Sequence, residues 1–314
     1  MFPGLRRGKM MVSVESNGIA LSYESFGYGD AGSILLISGL GSQMLRWPEV
    51  FCESLVAKGF RVIRFDNRDA GYSTHFTNSP TPDFSALANA VMTGRTPAVP
   101  YTLYDMAKDA MGLLDALKID KAHVAGRSMG GMIAQLMCSE HPERMLSLTS
   151  IMSGTGNPNL PSAAPDILAM LTKPAPHPVK DEAGFLAHSL AFAKRISSPG
   201  YPFNEEAHRA LVLEETRRAC DPAALGRQIA AIAATGDIRS RLARIVAPTL
   251  VVHGVDDPLI PLDCGRDTAA SIAGAEFMPV EGMGHDFPCA LYQTVSDAID
   301  RTARRRHSER RAQK

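Results

Sequence analysis

Short apolar runs alternate with helical patterns along residues 33–152. Apolar runs of strand length predict buried strands at SILLISG (33–39), RVIRFDN (61–67), KAHVAGRS (121–128) and LSLTSIMSG (146–154). Between them, apolar residues recur at helical spacing over 47–58, over 101–117 and from Met129 towards Pro142. This alternation predicts the α/β class, with a mostly parallel sheet that is covered by helices on both faces.

Two further regions extend this sheet. Residues 12–27 alternate polar and apolar positions around Asn17-Gly18, which predicts an N-terminal hairpin. Strand patterns return at 247–254 and 275–282, and a last helix is expected from about residue 290 to residue 305.

Residues 155–238 interrupt the order and contain no strand pattern. Prolines crowd residues 155–180, which we expect to be mostly loop, whereas 181–195 and 203–235 are expected to be helical. The predicted organisation is a core domain of residues 12–154 and 239–304, a helical insertion of residues 155–238 and a basic C-terminal tail of residues 305–314.

Composition and charge narrow the class of protein. The chain has 314 residues, of which 45% are hydrophobic and 21% charged, as expected for a folded globular chain. The formal net charge is zero, which argues against nucleic acid as the main ligand. The basic residues of the last segment are expected to lie on a frayed helix end and a solvated tail, and a nucleic-acid or acidic-membrane contact is the alternative. They are Arg301, Arg304, Arg305, Arg306, Arg310, Arg311 and Lys314.

The cysteines and the chain start indicate the compartment. Five scattered cysteines without a Cys-x-x-Cys motif argue against a disulfide framework and a zinc site. Residues 1–11 carry no apolar run of the signal-peptide kind, and no apolar stretch is long enough to span a membrane. We therefore expect a cytoplasmic protein with reduced thiols and no membrane span.

The strongest chemical signal is Gly126-Arg127-Ser128-Met129-Gly130. It fits the G-x-S-x-G nucleophile elbow, and a predicted strand precedes it while a predicted helix follows. The glycines are needed because side chains two residues on either side of Ser128 would collide in so sharp a turn. Ser128 is therefore the candidate nucleophile, and a plain Gly-rich turn is the alternative.

A serine nucleophile needs a base, and His285 is the best placed histidine. It lies in Glu281-Gly282-Met283-Gly284-His285, directly after a predicted strand, where glycines allow the loop to fold back over the sheet edge. A surface-turn histidine is the alternative interpretation. His253 also ends a strand, although a packed strand-end residue is the preferred interpretation for it.

The base must be oriented by a carboxylate, and two aspartates follow the strand at 247–254. We select Asp257 because a Gly-x-x-Asp-x-x-x-Pro frame falls on Gly254, Asp257 and Pro261, and Asp256 is the alternative. The oxyanion hole needs two backbone N–H groups, for which we expect Met129 and Leu40. The loop that contains Leu40 is alternatively an ordinary Gly turn.

The order nucleophile, acid, base along the chain is that of the α/β-hydrolases. The chain is similar to this superfamily of esterases and lipases over about residues 12–300, and it most resembles the aclacinomycin methylesterase-like hydrolases. The segments that carry the closer resemblance are RFDNRDAGYS (64–73), GYPF (200–203) and GMGH (282–285). The resemblance implies an α/β-hydrolase fold, a Ser-His-Asp triad, ester hydrolysis without a cofactor or metal, and a helical cap formed by 155–238.

Two departures from the family pattern concern loops near the site. Many relatives begin the oxyanion loop with His-Gly where this chain has Ser38-Gly39, and many have Gly where this chain has Asp69. We interpret Asp66 and Arg68 as structural residues that brace these loops.

An apolar acyl pocket is expected. Its candidate residues are Met44, Met129, Met283, Phe185, Leu186 and Phe192, although core packing is the preferred interpretation for them. Arg127 could contact an anionic group, but a structural ion pair or a solvated position is preferred for it.

The predicted function is a serine carboxylesterase that hydrolyses small to medium, largely apolar carboxylic esters. The same triad could instead cleave C–C bonds, act as an amidase or act as a perhydrolase. A slow-turnover ligand receptor on the same fold is the alternative of another class. We expect a small-molecule ester substrate, no nucleic-acid partner and a monomer or homodimer.

Overall fold

A computed structural model describes residues 12–80, 82–173 and 175–312, with side chains up to Arg305. Its strands form one eight-stranded sheet in the order β1-β2-β4-β3-β5-β6-β7-β8. They are β1 (Val12–Ser16), β2 (Ile19–Phe26), β3 (Ser33–Ile37), β4 (Arg61–Phe65), β5 (Ala122–Arg127), β6 (Met145–Ile151), β7 (Thr249–Gly254) and β8 (Glu276–Val280).

The sheet is mostly parallel, which confirms the predicted fold class. β1 and β2 form an antiparallel hairpin whose turn, Asn17-Gly18, has positive φ at both residues. β2 pairs antiparallel with β4, and every pairing from β4 to β8 is parallel. The carboxyl ends of β3, β5, β7 and β8 therefore point to the same edge.

Buried strands are apolar throughout because both faces of the sheet are covered. In β3, Leu35 and Ile37 pack into the apolar cluster that contains α3 (Leu103–Ala116) and α4 (Met129–Glu140). Ile34 and Leu36 pack into the opposite cluster, with residues of α1 (Glu49–Val56) and α11 (Tyr292–Ala312). Helices thus lie on both faces, as the pattern predicted.

The other helices are α2 (Phe84–Met92), α5 (Pro165–Thr172), α6 (Glu182–Ile196), α7 (Glu205–Arg218), α8 (Ala224–Thr235), α9 (Arg239–Leu242) and α10 (Leu262–Ala270). α2 lies in a stretch for which the sequence pattern made no prediction. The Asp83 carboxylate accepts hydrogen bonds from the backbone N–H groups of Ser85 and Ala86, which stabilises its first turn.

Two differences from the sequence prediction fall in residues 155–238. α5 forms within the proline-rich stretch that was expected to be mostly loop, because Pro165 stands at the first helical position, where a missing N–H costs nothing. The helix expected over 203–235 is divided into α7 and α8 by a break that contains Pro222. The domain boundaries themselves stay a prediction.

The last helix, α11, continues to Ala312, beyond the predicted end at about residue 305. Near its end, Arg304 pairs with Asp300 one turn earlier, and Arg301 pairs with Glu276 of β8. The side chains after Arg305 lie outside the described part, as do residues 1–11, on which the signal-peptide argument depends. Among the described residues, no helix is long and apolar enough to cross a membrane.

Candidate active site

Ser128 stands on a strained turn between β5 and α4. Its φ of 54° and ψ of −126° lie outside the usual regions for a residue with a side chain. A Cβ on Gly126 would lie 2.0 Å from the carbonyl oxygen of Gly130, and a Cβ on Gly130 would lie 2.3 Å from that of Ile37. Only glycine fits at both positions, as the steric argument from the sequence expected.

The structure brings together Ser128, His285 and Asp257. His285 Nε2 lies 3.0 Å from Ser128 Oγ, and His285 Nδ1 lies 2.7 Å from Asp257 Oδ2. An ionised carboxylate can only accept, so the Nδ1 proton points to Asp257 and the Nε2 lone pair faces the serine hydroxyl. His285 and Asp257 are 8% and 5% exposed, whereas Ser128 is half-buried and within reach of a ligand.

Asp257 is held rigidly at the end of β7. Its Oδ1 atom accepts hydrogen bonds from the backbone N–H groups of Leu259 at 2.9 Å and Ile260 at 2.8 Å. The Oδ2 atom is thereby aimed at the imidazole. Asp256, the alternative acid, instead accepts a hydrogen bond from the N–H of Gly282 at 2.9 Å and therefore supports the loop that carries His285.

His253 is fully buried beside this acid and lies 2.8 Å through Nε2 from the carbonyl oxygen of Ile260. Burial lowers its pKa below the usual value, and the bond to Ile260 opposes that shift. A neutral ring that donates from Nε2 to this carbonyl fits the packed strand-end interpretation.

The loop after β3 lies directly against the nucleophile. A Cβ on Gly39 would lie 3.1 Å from Ser128 Cβ, so the backbone next to Leu40 approaches the serine closely. Met129 is the first residue of α4, where helix N–H groups have no acceptor inside the helix. Both expected oxyanion donors, Leu40 and Met129, therefore belong to segments that flank Ser128.

Polar side chains support this loop at its first residue, Ser38. Ser38 is fully buried and its hydroxyl donates to the carbonyl oxygen of Gln43 at 3.3 Å. Asn67 Nδ2 donates to the carbonyl oxygen of Ser38 at 3.0 Å. The Ser38-Gly39 departure thus comes with its own hydrogen bonds.

Helix α8 also contacts this loop, which no sequence pattern predicts. Gln228 Oε1 accepts a hydrogen bond from the N–H of Gly41 at 2.8 Å, and its Nε2 donates to the carbonyl oxygen of Arg68 at 2.9 Å. Only three-dimensional contact reveals this role, because a glutamine within a helix carries no motif. The residue next to Leu40 is thereby tied to the helical insertion.

Asp66 and Arg68 brace loops, as interpreted from the sequence. Asp66 accepts hydrogen bonds from the N–H groups of Met44 and Tyr72 and pairs with Arg218 of α7. Burial raises the pKa of Asp66, while Arg218 opposes that shift. Arg68 forms a two-pronged pair with Asp109 of α3, at 2.6 Å for each contact.

Asp69 explains the second departure from the family pattern. Its φ is +62°, a backbone conformation that favours glycine and that aspartate tolerates better than most residues. Hydrogen bonds to the Asp69 carboxylate offset this strain. They come from the Phe76 N–H, the Tyr101 hydroxyl and the Arg227 guanidinium. At this position, which glycine could occupy, the aspartate side chain is part of a buried polar network.

Among the described residues, no carboxylate lies within hydrogen-bond distance of Arg127. Its contacts are structural. It donates to the carbonyl oxygen of Arg46 at 2.8 Å, and its guanidinium lies 5.7 Å from the Trp47 ring centroid. Burial lowers the pKa of Arg127 to about 10, and the nearby charge of Arg46 adds to the shift. This arrangement fits a packed cation better than the expected ion pair.

Most of the pocket candidates are core residues. Met129 packs in the cluster of α3 and α4, Met283 packs in the cluster of α1 and α11, and both are buried. Phe192 is half-buried and packs with Ile167 and Leu259, which joins α5 and α6 to the loop after Asp257. This supports the core interpretation that the sequence favoured.

One group of side chains has the composition of a metal site. Potential ligand atoms of Asp69, His75 and Asp221 lie within 4.8 Å of one another. The guanidinium of Arg227, however, lies 2.7 Å from Asp69 and 2.5 Å from Asp221, so a cation already pairs with both carboxylates. The donor set therefore fits an arginine better than a divalent ion.

The chain is similar to known proteins over most of its length. A family described as the alpha/beta hydrolase fold matches residues 32–288. Rhodomycin D methylesterase of Streptomyces sp. (strain C5) is 30% identical over 300 residues, which cover 88% of this chain and 92% of that protein.

Two further similarities concern hydrolases of other named substrates. The 2-hydroxy-6-oxononadienedioate/2-hydroxy-6-oxononatrienedioate hydrolase of Cupriavidus pinatubonensis (strain JMP 134 / LMG 1197) is 27% identical over 268 residues, or 81% of each chain. The structure of a meta-cleavage product hydrolase from Pseudomonas fluorescens IP01 superposes with a TM-score of 0.72. At 17% identity, over 93% of this chain and 96% of that one, it supports the fold alone.

Proposed function

The chain belongs to the alpha/beta hydrolase fold family, and from this premise we propose that it is a serine carboxylesterase. One observation carries the proposal: Ser128 Oγ lies 3.0 Å from His285 Nε2, and the opposite ring nitrogen lies 2.7 Å from buried Asp257. A hydroxyl, an imidazole and a carboxylate in this order supply the nucleophile, the general base and the group that orients the base in acyl transfer.

The reaction proceeds through an acyl-enzyme. Ser128 Oγ bonds to the ester carbonyl carbon while its proton passes to His285 Nε2, and Asp257 stabilises the resulting imidazolium. The N–H groups of Leu40 and Met129 donate to the oxyanion of the tetrahedral intermediate. His285 then gives this proton to the alcohol oxygen as the C–O bond to the leaving alcohol breaks. The same imidazole next takes a proton from a water that attacks the acyl group. It passes that proton to Ser128 Oγ as the bond between the acyl carbon and the serine breaks, which releases the acid and restores the hydroxyl.

Esters with a largely apolar acyl part are the proposed substrates. The relative from Streptomyces is a methylesterase, so methyl esters are the first natural-type substrates to test. A small alcohol leaves without a large binding surface of its own, so the acyl part supplies most of the binding energy. No cofactor and no metal takes part in the proposed steps.

Kinetics with a short-chain p-nitrophenyl ester test the proposal. Ser128→Ala and His285→Ala are each expected to lower kcat by about 10⁵ to 10⁶, as loss of a nucleophile or base does in a serine protease. Ser54→Ala is the matched control, because its hydroxyl donates only within α1, to Phe51. Wild-type turnover by Ser128→Ala would refute the assignment of the nucleophile.

Hydrolysis of a C–C bond is the second candidate. The relative from Cupriavidus acts on a compound whose name contains ketone, hydroxyl and carboxylate groups but no ester, so its hydrolysis must break a C–C bond. A higher kcat/KM for a 2-hydroxy-6-oxo-dienoate than for any methyl or p-nitrophenyl ester would favour this alternative. Labelling of Ser128 without multiple turnover on any substrate would favour the receptor alternative.

A further inference from the structure

The connection between α6 and α7 runs alongside the loop that carries His285. We call residues 196–201 the strap and residues 281–286 the histidine loop. The strap lies in the helical insertion, far from the histidine loop in the sequence. The Gly200-Tyr201 and Gly282-Gly284 positions singled out in the sequence lie on these two segments, and the proposed chemistry assigns them no role.

Backbone hydrogen bonds join the two segments at both ends. The N–H of His285 donates to the carbonyl oxygen of Ile196 at 2.7 Å. The N–H of Gly200 donates to the carbonyl oxygen of Gly282 at 2.9 Å. The main chain of the candidate base is thus bonded to a segment outside the α/β core.

Ser198 forms hydrogen bonds at the centre of the contact between the strap and the histidine loop. Its hydroxyl accepts a hydrogen bond from the N–H of Gly284 at 2.9 Å and donates to Asp286 Oδ1. Its own N–H donates to the same carboxylate oxygen at 2.9 Å. Ser198 is 3% exposed, so water does not replace these bonds when they are lost. The residues on both sides of His285 are therefore bonded to one serine.

The glycines allow the two segments to approach. A Cβ on Gly200 would lie 2.7 Å from Gly282 Cα, and a Cβ on Gly284 would lie 2.6 Å from the carbonyl oxygen of Ser197. Both distances are too short for a side chain, and the neighbouring atoms are backbone. The glycines of the two motifs are thus explained by this contact.

We infer that Ser198 is a positioning residue for His285, and that through it the strap holds the imidazole between Ser128 and Asp257. The inference rests on the proposed function, because positioning matters only if His285 is the base. Its physical basis is that the two hydrogen bonds of the imidazole tolerate little displacement, and a misplacement of about 1 Å costs about 100-fold in rate.

The test compares two neighbouring serines in the full-length protein. Ser197 is the matched control, because its hydroxyl donates to the carbonyl oxygen of Lys194 at the end of its own helix, at 2.9 Å, and not to the histidine loop. Each variant is assayed with a p-nitrophenyl ester and with a fluorophosphonate probe, whose adduct on Ser128 is located by mass spectrometry. The probe reports the reactivity of Ser128 without substrate turnover.

Ser198→Ala is expected to lower kcat and the fluorophosphonate rate by about 10-fold, with KM within about two-fold of wild type. Ser197→Ala is expected to keep all three values within about two-fold, and Ser198→Thr, which retains a hydroxyl, to recover most of the loss. Equal rates for Ser198→Ala and Ser197→Ala, or a loss confined to KM, would overturn the inference.

Two further results separate the possible failures. If Ser198→Ala does not fold, Gly200→Ala, which forces the strap away from Gly282, must lower the same two rates. Unchanged rates in that variant overturn the inference. If wild type is labelled on Ser128 but hydrolyses no ester, the proposed function fails while the fluorophosphonate rates still test the strap. No labelling of Ser128 overturns both.

Discussion

Replacement of Arg227 by methionine tests the buried network that joins the helical insertion to the core. Arg227 of α8 is fully buried, and its Nε and Nη2 atoms donate to the two carboxylate oxygens of Asp69 at 2.8 and 2.7 Å. It also pairs with Asp221 and donates to the carbonyl oxygen of Ser79 at 3.0 Å. The hydrogen bond to Asp69 is the main cause of a raised pKa for Arg227.

The loss of stability expected for Arg227→Met follows from the carboxylate charge of Asp69 that remains buried. Methionine retains the apolar stem but removes the guanidinium, so the carboxylate of Asp69 stays buried with only neutral donors, Tyr101 and Phe76. Removing one partner of a buried ion pair costs about 3–5 kcal/mol. We therefore expect Arg227→Met to lower the free energy of unfolding by about that amount.

Urea unfolding, followed by circular dichroism, measures the loss. The matched control is Arg195→Met, which breaks a similar two-pronged pair with Asp166 on the surface of the helical insertion, where both side chains are more than a third exposed. That variant is expected to unfold at nearly the wild-type midpoint. Asp69→Asn combined with Arg227→Met should recover part of the loss, because the fully buried carboxylate charge of Asp69 is then removed together with its partner. A loss of unfolding free energy in Arg227→Met no larger than that in Arg195→Met would show that the buried pair does not stabilise the fold.

Two other variants test the oxyanion loop and the insertion. Gln228→Leu removes the hydrogen bonds to the Gly41 N–H and the Arg68 carbonyl oxygen. Steady-state kinetics should then show a kcat about 10-fold lower at an unchanged KM. An unchanged kcat would contradict the role of Gln228. Burial lowers the pKa of His208 from 6.5 to about 4. Between these two pH values the unfolded chain binds a proton that the folded protein does not, so the free energy of unfolding falls as the pH falls from 6.5 to about 4. His208→Gln should flatten that fall in urea midpoints measured across the window, and an equally steep fall would contradict the shift.

The parts of the fold that the sequence predicted are those that a local pattern dictates. The apolar run of β3 is continuous because Ile34 and Leu36 face one helical layer while Leu35 and Ile37 face the other. The elbow at Ser128 was recognisable because only glycine fits at positions 126 and 130. The strands that precede Asp257 and His285 were recognisable from their own short strand patterns.

The parts that the sequence did not predict depend on contacts between distant segments. The sequence does not predict α5, because a run of prolines is typical of a loop, whereas Pro165 here begins a helix. Gln228 and Ser198 are ordinary polar residues within a helix and a connection, and their bonds to Gly41 and Gly284 join positions far apart in the chain. Such pairs leave no periodicity or motif in a single sequence.

During turnover, Ser128 is expected to carry the acyl group as a covalent ester. Rapid mixing with a p-nitrophenyl ester, acid quenching and peptide mass analysis measure this adduct. We expect an adduct with the mass of the acyl group on the peptide that contains Ser128, formed with a burst of p-nitrophenol and absent in Ser128→Ala. Multiple turnover in wild type with no adduct on that peptide, and unchanged turnover in Ser128→Ala, would contradict it.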